Sequence, residues 1–417
     1  MQLSVITAFY NRVNYLEYPF EKVLEDYPLI SDRKVVYLDS ATKTLPPLKI
    51  IEEVKKYHAE VGVSPRRGAH RLSISAEREL EEARLKIARV VNAKKENIIF
   101  TPSVPFSAAT LISGYPWRRG DKILISGAEH NSILAPALQA KNRFGLTHMI
   151  VGLNSNLKLD LEDLKNKINK DCKILLATLT PMILGVKNPL NEIAKIAHEY
   201  NCHVISDATR AIIHQEIDFN KLDSDALIFS GCIGIPGLEG VSVICAKKEL
   251  LEMIEPLTPG SGSISEASYN EYRNSPLPDK LEAGLINMSA IISLKEAVKY
   301  IENIGLEKIR SYNLKLANII YEELKNMKGV KLYGPIEKGV ETPIVSFNIE
   351  GFNSHDIALF LDETNKIITR SGMQCTYLLS YKINEKGVVQ VSPHYYNTPD
   401  HASILINTLN LIISELS

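Results

Sequence analysis

Between residues 98 and 245, short apolar runs alternate with stretches of helical period. Asn97-Ile98-Ile99-Phe100, Lys122-Ile123-Leu124-Ile125 and Lys173-Ile174-Leu175-Leu176 read as buried strands. His203-Val204-Ile205, Ala226–Phe229 and Val241-Ser242-Val243-Ile244 follow in the same style. Runs this short, near-continuously apolar and bounded by polar turns, fit strands covered on both faces. The clearest helix spans Asn188–Tyr200, where Ile193, Ile196, Ala197 and Tyr200 recur at helical spacing. Asn188 is the expected N-cap and Pro189 suits the first turn. The alternation predicts an α/β fold with a mostly parallel sheet between helices.

The pattern changes after Gly284. Long helical stretches are predicted over Asn287–Asn303 and Leu306–Met327, then a strand at Ile344–Ile349 and a helix after Ser354. Strand-like pieces recur at Ile367-Ile368 and Val388–Val391. The chain divides accordingly into an N-terminal segment (1–36) packing with the smaller unit, a large domain (37–285) and a small α+β domain (286–417).

In open α/β sheets ligands sit beyond the carboxyl ends of the strands. The residues there include His130, Asp207, Arg210 and Cys232. They rim a pocket of mixed charge with no nucleophile–base pair.

Composition narrows the function classes. The chain has 417 residues, is 45% apolar, and carries a net charge of −1. That balance excludes a global electrostatic case for nucleic acid or an anionic membrane surface. No run of about 18 apolar residues is present, so no membrane span is expected. The five cysteines (Cys172, Cys202, Cys232, Cys245 and Cys375) are scattered without a CxxC pair. Neither a metal site nor a disulfide framework is predicted, and a reducing cytoplasm is the expected location. The N-terminus lacks the basic lead-in of a signal peptide.

Motif order then becomes informative. Arg67-Gly68-Ala69-His70 resembles an RGxH loop, and Glu129-His130-Asn131-Ser132 resembles EHHSN. Leu184-Gly185 with Asn188-Pro189 resembles NVLGxxNP, and Asp207 to Asp218 resembles DGAQAVPHxxVD. Glu282-Ala283-Gly284 with Asn287 resembles EAGTPN, and Arg370 to Cys375 resembles RxGHHC. Together with Tyr37-Leu38-Asp39 and His394–Thr398, they cover nearly the whole chain in the order of the cysteine desulfurases. These belong to the class V aminotransferases, fold type I pyridoxal phosphate (PLP) enzymes. The resemblance implies a large domain with a central, mostly parallel seven-stranded sheet, a smaller C-terminal domain, and a dimer. That dimer forms with a second copy or with an active paralogue.

The resemblance also marks what differs. The lysine that forms the Schiff base is Ile233 here, which has no amine. The phosphate-binding GTT is Ser103-Val104-Pro105, and Pro105 has no N–H to give. The partner-subunit threonine is Leu285, and the asparagine before Leu-Gly is Met182. The ring-hydroxyl glutamine is Arg210, and the carboxylate-holding arginine is Gln390. Among the residues kept, the resemblance makes His130 the ring-stacking residue and Asp207 the partner of the pyridine nitrogen. It makes Arg370 a substrate-loop arginine and Cys375 the sulfur acceptor.

The resulting expectation is a pseudoenzyme, a scaffold or regulatory subunit in sulfur trafficking. No bound cofactor is expected, with PLP the alternative. Asp207 and Arg210 are expected to form an ion pair, ahead of binding a different small ligand together with His130. Cys375 reads as an unspecialised loop cysteine ahead of a persulfide relay, and Cys232 as a small buried hydrophobe. Further alternatives are an enzyme acting on another ligand in the reshaped pocket and an enzyme with PLP bound non-covalently.

Overall fold

A computed structural model describes residues 16–335 and 338–416. The apolar runs become one seven-stranded sheet. Its strands are β1 (Ile98–Thr101), β2 (Lys122–Ser126), β3 (Thr147–Val151) and β4 (Cys172–Leu176). β5 (His203–Asp207), β6 (Ala226–Ser230) and β7 (Ser242–Ala246) complete it. The order is β1-β7-β6-β5-β4-β2-β3, and only β7 runs against the others. Every residue of β6 and β7 is buried, as helices on both faces require. β3, at one edge, has a weak apolar signature, the three residues Met149-Ile150-Val151. Thr147 is exposed and His148, Met149 and Ile150 are only half-buried.

The helix after β4 spans Leu190–His198, and its N-cap is Pro189, not Asn188. Asn188 is occupied elsewhere: Oδ1 accepts from the Leu159 N–H and Nδ2 donates to the Thr178 carbonyl, each at 2.8 Å. It fastens the β4 exit loop instead of starting a helix.

The helix Met288–Ile304 follows, with Asn287 capping it through Oδ1 and the Ala290 N–H, then the helix Leu306–Asn326. The second sheet contains β8 (Val330–Tyr333), β9 (Val345–Ile349), β10 (Arg370–Gly372) and β11 (Val388–Val391). It is antiparallel in the order β8-β9-β11-β10. Helices Ser354–Asn365 and Pro399–Leu416 accompany it.

Residues 1–15 of the predicted N-terminal segment lie outside the described residues. Further along, Phe20 and Tyr27 are buried against the last third of the chain. Phe20 meets the Tyr312 ring edge-on at 5.3 Å, and the Tyr27 and Tyr395 hydroxyls share a hydrogen bond of 2.6 Å. A buried ring of this kind contributes about 2 kcal/mol by removing apolar surface from water. Among the described residues, no helix is long and apolar enough to cross a membrane.

Candidate functional site

The carboxyl ends of β5 and β6 share a small cavity through Arg210 and Ile233, and the turn after β10 lies within electrostatic reach of Arg210. β5 ends at Asp207, which is buried, and its Oδ1 accepts the Thr209 N–H at 2.8 Å. Glu129 stands behind it, fully buried, with Oε1 accepting the Thr178 N–H at 2.6 Å. Burial and then the Asp207 charge push Glu129 up to about 8. It therefore holds a proton at neutral pH, and its Oε2 has no hydrogen-bond partner.

His130 caps the helix Asn131–Phe144. Its Nδ1 accepts the Ser132 N–H at 3.1 Å, which leaves the ring proton on Nε2. Burial, then the Arg210 and Arg370 charges, bring His130 down to about 3, so the ring is neutral. A neutral imidazole and a carboxylate thus flank the end of β5.

Arg210 is the departure from expectation. It is 7% exposed and its Nε has no partner. Asp207 and Asp39 favour its charge from a distance, but among the described residues neither closes an ion pair with it within 4.0 Å. The predicted Asp207–Arg210 bridge is not formed among the described residues, and Asp207 Oδ1 accepts the Thr209 N–H instead. Burial brings Arg210 down to about 10, still charged at neutral pH. Burial also lifts Asp39 to about 6, against the pull of Thr42, Arg370 and Arg210.

The turn after β6 is tight, and its glycines explain why. A Cβ on Gly231 would stand 2.6 Å from Val241 Cγ1. The Cys232 carbonyl accepts the Thr44 N–H, and the Gly234 N–H donates to Thr44 Oγ1. Cys232 is half-buried, with Sγ 3.3 Å from Ser230 Oγ, rather than the fully buried hydrophobe expected. Ile233 faces a cavity of about 10 Å³ that it shares with Ser40, Arg210, His214 and Ile344. No lysine lines it.

Arg370 opens β10 and reaches two partners: Nη1 donates to Thr42 Oγ1 at 2.8 Å and Nη2 to Cys375 Sγ at 3.0 Å. Cys375 is exposed, whereas Cys172, Cys202 and Cys245 are buried. Gln374 and Cys375 both have left-handed backbones, φ 54° and 52°. Such strain persists only where surroundings fix it. Here Gln374 Nε2 donates to the Val388 carbonyl and the Asn131 N–H donates to the Cys375 carbonyl. The structure thus brings Asp207, Arg370 and Cys375 within electrostatic reach of Arg210, and Arg210 and Arg370 within reach of His130, while Ile233 lines a small cavity with Arg210. The sequence placed Glu129 and Asp39 in motifs but gave neither a role in the site.

Residues 36–405 match the model of the aminotransferase class-V family. The chain is 32% identical over 398 residues to a probable cysteine desulfurase of Pyrococcus abyssi, covering 95% of this chain and 98% of that protein. The apo cysteine desulfurase of Thermococcus onnurineus superposes with a TM-score of 0.89 at 32% identity, over 96% of this chain and 99% of that one. A C-DES mutant with glycine covalently linked to its PLP cofactor shares the fold, with a TM-score of 0.81 at 18% identity, over 93% and 98% of the two chains.

These comparisons correct the expectation of a pocket without cofactor. Relatives that are cysteine desulfurases point to PLP as the group this pocket descends from. The residues present fit one part of it and not the rest. His130 and Asp207 offer a ring a flat face and a carboxylate. Ile233 offers no amine for an imine, and the helix Val104–Ser113 starts with Pro105 in its first turn, without that N–H for a phosphate. As a set, these residues do not fit PLP in its covalent form.

Proposed function

Because the chain belongs to the aminotransferase class-V family, with cysteine desulfurases as relatives, we propose that it is a member that has lost imine-dependent turnover of cysteine. In this reading it is a regulatory or scaffold subunit in sulfur handling. The observation that carries it is Ile233 in the turn after β6, lining a small cavity that no lysine enters. His130 and Asp207, kept in the motif order of the cysteine desulfurases, support descent from a working enzyme.

The test is to add PLP to the purified chain, reduce with borohydride, and weigh the intact protein beside Ile233→Lys. The reading expects a covalent adduct on the variant and none on the natural chain. An adduct on the natural chain would mean another lysine serves, and the protein is an active enzyme.

A dimer is part of the proposal. Leu285 is 74% exposed and lines a hollow of about 240 Å³ with Phe106 and Leu281, which favours a second chain over this face. Light scattering that returned a monomer at micromolar concentration would remove that part. A second reading, a persulfide relay, is favoured by the Arg370–Cys375 contact of 3.0 Å on an exposed, tied-down loop.

A further inference from the structure

Residues 39–44 run from the end of β11 to the turn after β6. At the first end the Ser40 N–H donates to the Ser392 carbonyl at 3.3 Å, and the Ala41 N–H donates to Ser392 Oγ at 2.8 Å. At the other end the Thr44 N–H donates to the Cys232 carbonyl, and Lys43 Nζ donates to the Gly237 carbonyl. Thr42 lies between these anchors, with its own N–H on the Asp39 carbonyl at 3.1 Å. Its side chain is therefore held in one place. Thr42 Oγ1 accepts from Arg370 Nη1 at 2.8 Å. Burial lifts the Asp39 carboxyl, and a hydrogen bond from the Thr42 side chain opposes that lift. One hydroxyl can serve both neighbours, giving its single proton to the carboxylate and a lone pair to the guanidinium. The far side of Arg370 is fixed as well. Nη2 donates to Cys375 Sγ at 3.0 Å, and the Asn131 N–H holds the Cys375 carbonyl at 2.8 Å. A guanidinium is a rigid planar fork, so placing one Nη on Thr42 sets where the other points. A free arginine side chain has about 2 kcal/mol of rotamer entropy with which to leave the sulfur.

We propose that Thr42 is a positioning residue: it holds the Arg370 guanidinium on the Cys375 sulfur and thereby sets how readily that thiol meets anionic electrophiles. The proposal rests on the relay reading of Cys375 for its biological use and not for its chemistry. Thr42 makes and breaks no bond. Its effect passes through the charge it places. A cation fixed beside a sulfur draws a negatively charged reagent more than a neutral one of similar shape. The same arginine left to wander would spread that charge into solvent, where it is screened.

The experiment treats the full reduced chain with iodoacetate and, separately, with iodoacetamide, and follows the mass of the Cys375 peptide over time. In both reactions the thiolate displaces iodide, so the reagents differ chiefly in charge. The ratio of the two rates reads the charge beside the sulfur, whereas a more open loop moves both rates together. Thr42→Val should lower the iodoacetate-to-iodoacetamide ratio about tenfold, the scale of one charged hydrogen bond. Thr42→Ser, which keeps the hydroxyl, should retain the ratio. Arg370→Gln should lower it as far as Thr42→Val does. Adding Thr42→Val to Arg370→Gln should change nothing more, because the threonine acts only through the arginine. Thermal melts confirm that each variant folds. A ratio unchanged in Thr42→Val, lowered in Thr42→Ser, or lowered further in the double variant would overturn the proposal. Two rates that fall together at constant ratio would also overturn it, leaving Thr42 a structural tie. The relay is judged apart, by whether glutathione persulfide adds one sulfur to the Cys375 peptide. No added sulfur together with the expected ratios would remove the relay and uphold the role of Thr42.

Discussion

Replacing Arg210 by glutamine should stabilise this protein, not weaken it. A true ion pair at this site would give the opposite result. Burial brings the guanidinium from its ordinary 12.5 down to about 10, even after Asp207 and Asp39 have acted on it. A drop of that size corresponds to about 3 kcal/mol by which the folded state disfavours the charge. The charge is carried in both folded and unfolded states at neutral pH, so a neutral residue removes the penalty from the folded state alone. Glutamine returns part of the gain, because its own buried amide needs partners, at about 1 kcal/mol. The net expectation is a gain of about 2 kcal/mol. With an unfolding entropy near 2.1 cal/mol/K per residue, a chain of 417 residues has about 0.9 kcal/mol/K in all. The melting temperature should therefore rise by about 2 °C. Calorimetry in a buffer free of oxyanions is the assay. A fall of 2 °C or more would refute the reasoning and restore a direct Asp207–Arg210 pair.

Glu129, raised to about 8 by burial and Asp207, binds its proton more tightly folded than unfolded. Its contribution is whole below its unfolded value near 4.5 and is lost as pH rises through about 8, at up to about 1.4 kcal/mol per pH unit. Urea melts at pH 5, 6.5 and 8 should show that decline, and Glu129→Gln should flatten it. Cys375, exposed and bonded by Arg370, should be alkylated by iodoacetamide at least about tenfold faster than buried Cys172, Cys202 and Cys245. Peptide mapping over time reads this, and equal rates at all four would count against a reactive role for Cys375.

The sheet was legible because six of its strands are buried on both faces and their residues say so. β3 escaped because its apolar run, Met149-Ile150-Val151, is only three residues long and follows the polar Thr147-His148. The Asn188 cap was misread for a different reason: an N-cap residue and a residue that ties two loops share the same amide chemistry. Within the site, motif order located His130, Asp207, Arg210, Arg370 and Cys375, and the fold brings them together. The failure of Asp207 to pair with Arg210 was not legible, because a spacing of three residues does not say which way two side chains leave the loop after β5. The proton on Glu129 depends on burial, which only the fold supplies. The cofactor expectation failed because missing residues report on how a group is attached. Which group the pocket descends from is a property of the family.

The N-terminal aromatics impose a schedule on biosynthesis. Tyr27 and Tyr395 are 368 positions apart, yet their hydroxyls meet. At about 10 residues per second, Tyr27 leaves the ribosome more than half a minute before its partner exists. Through that interval Tyr27 lacks its Tyr395 partner, while the large sheet, finished by Ala246, is free to form. The segment around Tyr27 is thus made long before the Tyr395 it packs against. A nascent chain of this protein must either shield that segment with a chaperone or risk joining it to another chain.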